Sequence, residues 1–562
     1  MMIKSKRSMK LSSLYATLLF SLLLNQGWAQ ASDTSPIPEW KSYPTFGIEI
    51  TDTVMFDMAG SLLSTNEALG STPRSESNYD GYDRLCSSLE VEYCDPTKKT
   101  LNSRAVLNPC LGIYLNPCLD EVQVTDDSGK TYKLDYVRSV RGNTFKGDKK
   151  FKLPDGGTIS LWRSEQLSGV KDFAVTYSIE YFGKKPSDIF FKPRLANVSI
   201  QPFIARSNSK ARNFYFGENP PSSPNRLTNP FGSVSSIGLN DFGINCAWQE
   251  DLICGAEQEL ETNYIYSVSI VTPKEFTGWL QGRLYSPQIE VQTVSSDLNK
   301  ISVNANPVQV PRVVSDIEYS RTNNEIEELF KSDKSFQNKS SFRNILSTDN
   351  LNNLRYLDAF NKFLKDKATL TSTKWSFKTM DKDDGSTSNK CLVSNTKLMG
   401  MVTTNAMIYE GGVPEFKDGN LEYRVAGLHL NPDNSVFLGA YDLVLRSEAA
   451  RCLYQFTNAP LSAEISVTGS DGEKKVATTK VSEEKGWLHL GAYNFTFSQP
   501  TIKMTLKQAA VTPSPTPTPL VTSSPSPSAV ILRKSTITCL KGKQTKKVTG
   551  FSPKCPAGYK KK

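Results

Sequence analysis

Phe173, Val175, Tyr177, Ile179 and Tyr181 alternate with small or polar residues, the period of a strand with one buried face. Tyr264, Tyr266, Val268 and Ile270 repeat it. Val122 and Val124, then Asp126-Asp127-Ser128-Gly129, then Tyr132, Leu134 and Tyr136 read as strand, turn, strand. Leu153-Pro154-Asp155-Gly156-Gly157 is another turn, and Asn219-Pro220-Pro221-Ser222-Ser223-Pro224 marks an irregular loop. Alternation returns after residue 369. Ile465 and Val467, Gly469-Ser470-Asp471-Gly472 and Val476 predict a hairpin, and Trp487, Leu488, Leu490, Phe495 and Phe497 supply late core strands. Between these regions the period changes. Leu351, Leu354, Leu357, Phe360 and Leu364 recur at three- and four-residue spacing, with Asp349 placed to cap the helix they predict. A shorter helix is expected over 325–331.

These patterns predict a mainly β chain: two or more β-sandwich domains, Ig-like or jelly-roll-like, with a helical connector. The expected divisions are a signal peptide over 1–31 and a β-rich domain of one or two sandwiches over 32–320. A helical connector follows over 321–368, then a β-sandwich over 369–508, a Pro/Ser/Thr linker over 509–530 and a basic, disulfide-stapled tail over 531–562. The linker alternates Pro513, Pro515, Pro517, Pro519, Pro525 and Pro527 largely with Ser and Thr. At ~3.1 Å per residue such a segment reaches about 50 Å. In the tail, 536–541 and 545–549 can pair around Gly542-Lys543.

Charge sharpens this division. The 562 residues carry a formal +9, with 66 Lys and Arg against 57 Asp and Glu. Lys4, Lys6, Arg7 and Lys10 sit in an acid-free leader, and ten Lys and Arg sit in an acid-free stretch over 530–562. That leaves 52 basic residues against all 57 acids, so the body is near −5. A terminal charge block reads as an interaction tail rather than a nucleic-acid-binding fold. The leader continues into Leu-rich residues 11–24 and Ala29-Gln30-Ala31. Fourteen residues fall short of the ~20 that span a bilayer, so cleavage after Ala31 is expected. No transmembrane segment is expected after cleavage. The 38% hydrophobic content excludes wholesale disorder.

Ten cysteines fit an oxidising compartment. Cys86 and Cys94, Cys110 and Cys118, and Cys246 and Cys254 are each eight positions apart. The first four allow two arrangements. Each pair closes a local loop, worth about 2.6 kcal/mol in the chain-entropy picture. Alternatively the segments are antiparallel strands, with Cys86 opposite Cys118 and Cys94 opposite Cys110. That register sets Leu89 against Leu115, Val91 against Ile113 and Tyr93 against Leu111. Pro109 and Pro117 favour local loops, because proline is poorly placed inside a paired strand. Cys391 and Cys452 are expected to tie two strands, worth about 4 kcal/mol, and Cys539 and Cys555 to staple the tail.

Candidate chemistry is sparse. No nucleophile elbow, H-E-x-x-H helix, Walker loop or dinucleotide fingerprint occurs. No catalytic residue, cofactor or metal ligand is therefore nominated. His429 and His489 each lie between leucines and read as polar members of alternating strands. Asp381-Lys382-Asp383-Asp384-Gly385 resembles a calcium loop but lacks the closing glutamate, so it reads as a turn. Asp442, Glu448 and Glu464 are too scattered to nominate as a glycosidase pair. Trp279 and Tyr285 carry rings able to stack on sugars, though core roles are commoner.

Gly439-Ala440-Tyr441-Asp442-Leu443, Ala450-Arg451-Cys452-Leu453-Tyr454 and Ala459-Pro460-Leu461-Ser462-Ala463 resemble a region of uncharacterised secreted bacterial surface proteins. Ile537-Thr538-Cys539-Leu540-Lys541-Gly542-Lys543 with Pro553-Lys554-Cys555-Pro556-Ala557-Gly558-Tyr559-Lys560-Lys561-Lys562 is similar to the Lys-rich, two-cysteine tail that ends many of them. The resemblance implies an envelope or extracellular location and no particular activity. The expectation is a secreted, surface-associated protein that binds, adheres or builds the envelope, with anionic cell-envelope polymers or glycans as partners. The alternative is a secreted polysaccharide or cell-wall hydrolase using a carboxylate pair. Intact-mass analysis of exported protein, with and without reductive alkylation, should show loss of the first 31 residues and at most two free thiols. A retained 11–24 segment or four free thiols contradicts the compartment argument.

Overall fold

The computed structural model describes residues 45–52, 60–66, 83–207, 246–250, 253–380, 389–394, 396–457, 461–469, 473–475, 477–497, 500–508, 535–542, 544–550 and 553–562. The leader, the 219–224 loop, the acidic 381–385 segment and the 509–530 linker lie outside them. The chain divides into two compact units, Met1–Ala509 and Ala510–Lys562. It is mainly β, and the described strands form five sheets.

In the larger unit a fifteen-stranded sheet runs Thr478–Glu484, Trp487–Thr496, Leu438–Arg446, Leu398–Thr404, Gly278–Arg283, Ser376–Thr379, Leu195–Ser207, Asp172–Lys184, Leu101–Val106, Leu62–Asn66 and Asp83–Leu85, with four strands off this path. Gly278–Arg283 and Leu398–Thr404 are parallel, and the other neighbours on the path are antiparallel. Ser376–Thr379 pairs with Gly278–Arg283 on one side and Leu195–Ser207 on the other. The sheet thus takes strands from both sides of the 321–368 segment. A division between 32–320 and 369–508 does not separate the sheets, because the backbone of Ser376–Thr379 meets its hydrogen-bonding needs in the earlier region.

The alternating strands behave as their period requires. Val122, Val124, Val268, Ile270, Ile301 and Val303 of a five-stranded sheet share one core with Tyr177, Ile179, Val198 and Ile200. Asn420–Ala426, Leu461–Thr468 and Thr501–Gln508 belong to a six-stranded sheet, whose Tyr423, Val425, Ile502 and Met504 pack with Leu443, Leu488 and Leu490. Leu461–Thr468 turns back onto Lys474–Lys475, the expected hairpin.

A four-stranded sheet orders Phe342–Ser347, Thr45–Thr51, Val308–Glu318 and Leu370–Lys374. Phe46, Ile48 and Ile50 face the helices Asn324–Phe330 and Leu354–Leu364 through Ile326, Phe330, Leu357, Phe360 and Leu364. The leucine stripe is therefore a core stripe. On the opposite face Arg343 forms a bidentate pair with Asp316 across the intervening strand at Gly47. A Cβ at Gly47 would lie 2.4 Å from the Asp316 carboxylate, so glycine keeps that crossing open.

Asp349 does not cap the helix. Asn350 caps the preceding Leu351–Asn353 turn instead. Asp349 is drawn into a partly buried ionic junction, where it accepts from Lys378, Ser347 and Gln281. Beside it Arg283, 3% exposed along its side chain, donates from Nε and Nη2 to Asp52 and from Nη1 to the carbonyls of Thr404 and Ala406. Thr348 also donates to Asp52 at 2.6 Å, and Arg283 lies 4.7 Å from the Tyr409 ring centre. The junction joins the fifteen-, six- and four-stranded sheets.

All five expected disulfides close, with Cα separations of 5.1–6.0 Å, and no free cysteine remains. The first four cysteines form local loops. In the Cys110–Cys118 loop, Leu111, Ile113 and Leu115 are 97%, 76% and 66% exposed, rather than paired with Tyr93, Val91 and Leu89. Cys391–Cys452 links a short turn, Lys390–Leu392, to the helix Ser447–Tyr454, not two strands. Ala449, Ala450 and Leu453 bury one helical face, and this fixes the segment as a helix.

The smaller unit is a three-stranded sheet ordered Gln544–Gly550, Ser535–Lys541, Lys560–Lys561. The hairpin has Thr538 opposite Lys547 and Lys541 opposite Gln544, with Gly542 at φ +60° in its turn. The Cys539–Cys555 bridge closes it.

The ionic junction makes stability acid-sensitive. Burial alone raises the Asp52 carboxyl, but the Arg283 charge and the hydrogen bonds from Arg283 and Thr348 outweigh burial and hold it at about 2. An unfolded aspartate titrates at about 3.9. The folded value is depressed, so this stabilisation is complete above about pH 4 and fades as pH falls toward about 2. Arg283→Met should cost roughly 2–3 kcal/mol at neutral pH, because it leaves the partly buried Asp52 without its cation and its charge-assisted hydrogen bonds. The cost should shrink in acid, read as the wild-type minus variant difference in denaturation midpoint. An equal difference at both pH values contradicts the assignment.

Candidate functional site

Asp442 lies at the centre of Leu438–Arg446 and is fully buried. It faces Gly491 on the neighbouring strand Trp487–Thr496. His489 and Tyr493 lie two residues either side of Gly491, so all three point to one face. A Cβ at Gly491 would fall 2.3 Å from the Tyr493 hydroxyl, so glycine opens the path to the carboxylate. Asp442 Oδ1 accepts from the Tyr493 hydroxyl and bonds His489 Nε2 at 2.7 Å. Its Oδ2 accepts from the Ser286 backbone N–H at 3.0 Å. Ser286 adopts the left-handed conformation, φ +51°, which brings that N–H onto the carboxylate, and its hydroxyl meets Lys480 Nζ at 2.9 Å. Burial, then the Asp442 charge, push the Tyr285 and Tyr493 phenols above their ordinary values. Both rings stay neutral at physiological pH.

Tyr285 and Tyr493, with ring centres 4.6 Å apart, line a cavity of about 370 Å³. Its wall continues through Thr262, Asn306, Gln309, Asn405 and Asn494, with Leu438 at the apolar edge. No Asp, Glu, Lys, Arg or His belongs to this lining. The site is neutral, part aromatic and part amide. Such a surface can stack on a ring and exchange hydrogen bonds.

The other residues weighed in the sequence do not gather here. Glu448 pairs with Lys397 and Glu464 with Lys507, both at the surface. With Asp442 saturated by its three donors, these carboxylates form no catalytic pair. His429 lies at a bend rather than in a strand and bonds Asp366 through Nδ1 at 2.6 Å. Trp279 is a core residue whose indole donates to the Leu392 carbonyl. Of the two aromatics singled out in the sequence, only Tyr285 reaches the cavity. Among the described residues no group of three His, Cys, Asp or Glu is placed to hold a metal ion, and no helix is long and apolar enough to cross a membrane.

A second feature belongs to the smaller unit. Lys541, Lys546, Lys547, Lys554, Lys560, Lys561 and Lys562 are all exposed. Lys546 and Lys561 flank Cys539, whereas Lys547 faces Thr538 and Lys560 faces Leu540, so cations occupy both sides of the sheet.

Sequence reading missed the cavity because its wall comes from six separate stretches. The available signal was Gly491, a small residue between His489 and Tyr493 in an otherwise bulky strand. Asp442→Ala should lower stability by roughly 2–4 kcal/mol by stranding buried donors. Glu448→Gln and Glu464→Gln should leave the melting temperature unchanged. A silent Asp442→Ala contradicts the buried network. Comparison with protein-family models and with curated proteins finds no match, so the chemistry of the site rests on this geometry.

Proposed function

We propose that this chain is a secreted, cell-surface-associated binding protein, held on anionic envelope polymers by its C-terminal module. The observation that carries the reading is the exposed lysines on both sides of a disulfide-closed sheet, in a stretch over 530–562 with ten basic residues and no acid. Phosphate- or carboxylate-bearing polymers are attracted to such a surface from any direction. The leader agrees with export, and the Pro/Ser/Thr composition of 509–530 is that of a spacer. Five disulfides fit an oxidising compartment. The tail's likeness to those of uncharacterised secreted bacterial surface proteins points the same way.

Binding is favoured over hydrolysis at the cavity. Glycoside hydrolysis generally uses two carboxylates ~5–9.5 Å apart across the scissile bond, and the lining holds none.

Retention of the exported chain on isolated envelopes should be high at low salt and fall at high salt, since screening acts over ~8 Å at physiological ionic strength. Truncation after residue 530 should abolish it. A scrambled tail of equal charge should retain less than the folded module. Retention equal to that of the scrambled tail reduces the module to a generic polycation, and no retention at low salt overturns attachment.

A further inference from the structure

We propose that the cavity between Tyr285, Tyr493, Asn306, Gln309, Asn405 and Asn494 is a binding site for one neutral saccharide unit, a pyranose ring laid against the tyrosine pair. This deepens the binding reading of the body and is independent of attachment through the tail.

The aromatic side is preorganised. Tyr493 is tethered from behind through its hydroxyl to Asp442, whose other bonds run to His489 and the Ser286 N–H. Its ring is fixed without any ligand. Tyr285 packs against it with rings inclined at 36° and stays 36% exposed. A pyranose has an apolar face of C–H groups that suits such a surface, and little ordering is left to be done on binding.

The polar side has two kinds of group. Asn405 is a fixed part of the wall, since its Nδ2 donates to the Leu438 carbonyl at 3.0 Å and its Oδ1 accepts from the Ala440 N–H at 2.7 Å. Asn306 spends its Nδ2 on the Tyr264 carbonyl at 2.8 Å, and its Oδ1 has no protein donor among the described residues. Gln309 and Asn494 donate only across 3.5 Å, to Thr371 and Thr478. Contacts this long are weak. Both amides can turn to a ligand hydroxyl at little cost. Each amide offers a donor and an acceptor, the pairing that a hydroxyl needs.

Charge narrows the class. An anionic ligand finds no cation in the lining. A cationic ligand finds no carboxylate, because Asp442 is buried behind Tyr493 and saturated. A purely apolar ligand would cover the amides and leave them without partners, which is costly. At about 370 Å³ the space is at the small end of the ~300–1,000 Å³ typical of ligand sites, which suits one sugar unit rather than a long chain.

The test is calorimetric titration of the full exported chain with glucose, galactose, mannose, N-acetylglucosamine and their disaccharides, with glucuronic acid as the anionic probe. At least one neutral sugar should bind, with affinity unchanged between low and high salt. That separates this site from the salt-sensitive tail. Tyr285→Ala should weaken binding about 10-fold. Gln309→Ala, at an exposed position that leaves the fold intact, should weaken it by a smaller factor. Failure of every neutral sugar to bind the wild-type chain overturns the proposal. So does tighter binding of glucuronic acid, or unchanged affinity in both variants.

Discussion

One guanidinium organises the larger unit. Arg283 is almost completely buried, and it meets Asp52 twice and two main-chain carbonyls. A buried charge without such partners is costly, so each partner must be in place for the others to be tolerated. Those partners come from different sheets. Asp52 follows a strand of the four-stranded sheet, Thr404 ends a strand of the fifteen-stranded sheet with Ala406 just beyond it, and Tyr409 belongs to the six-stranded sheet. Asp349 and Lys378 extend the ionic cluster. Hydrophobic contact alone would let these layers slide, whereas this set of directional bonds specifies one arrangement.

Asp442 repeats the device on a smaller scale and for a different end. Its carboxylate is fully buried, unlike that of Asp52, and its partners are a histidine, a tyrosine and a backbone N–H rather than a cation. The effect is to fix one wall of the cavity. Glycines make room at both levels, Gly47 under the Arg343–Asp316 pair and Gly491 beneath the Tyr493 hydroxyl. Charged side chains are absent from the cavity lining, and a net positive charge is concentrated in the smaller unit. The chain thus carries two surfaces of different character, one neutral and concave, one densely cationic.

Local features were the most legible in the sequence. The tail hairpin was readable because a glycine turn fixes its register. The Leu354–Leu364 helix was readable because its apolar stripe recurs at helical spacing. Asp349 was misread as a cap because the sequence could not show Lys378, 29 positions away, as a stronger partner. The Cys452 segment looked like a strand until Ala449, Ala450 and Leu453 were seen to share a helical face. The sheet division failed for a related reason. Ser376–Thr379 carries no mark of which neighbours it will join, and its two partners lie far upstream. The cavity was illegible because no single stretch contains enough of its wall.

The central claim is that the larger unit, despite its several sheets, is one cooperative structure locked at the Arg283 junction. Differential scanning calorimetry of the full exported chain tests it most directly. Shared strands and a shared ionic junction require one main transition, with calorimetric and van't Hoff enthalpies in agreement. Two well-separated main transitions, each with its own enthalpy, would show that the regions before and after 321–368 unfold independently and would contradict the account.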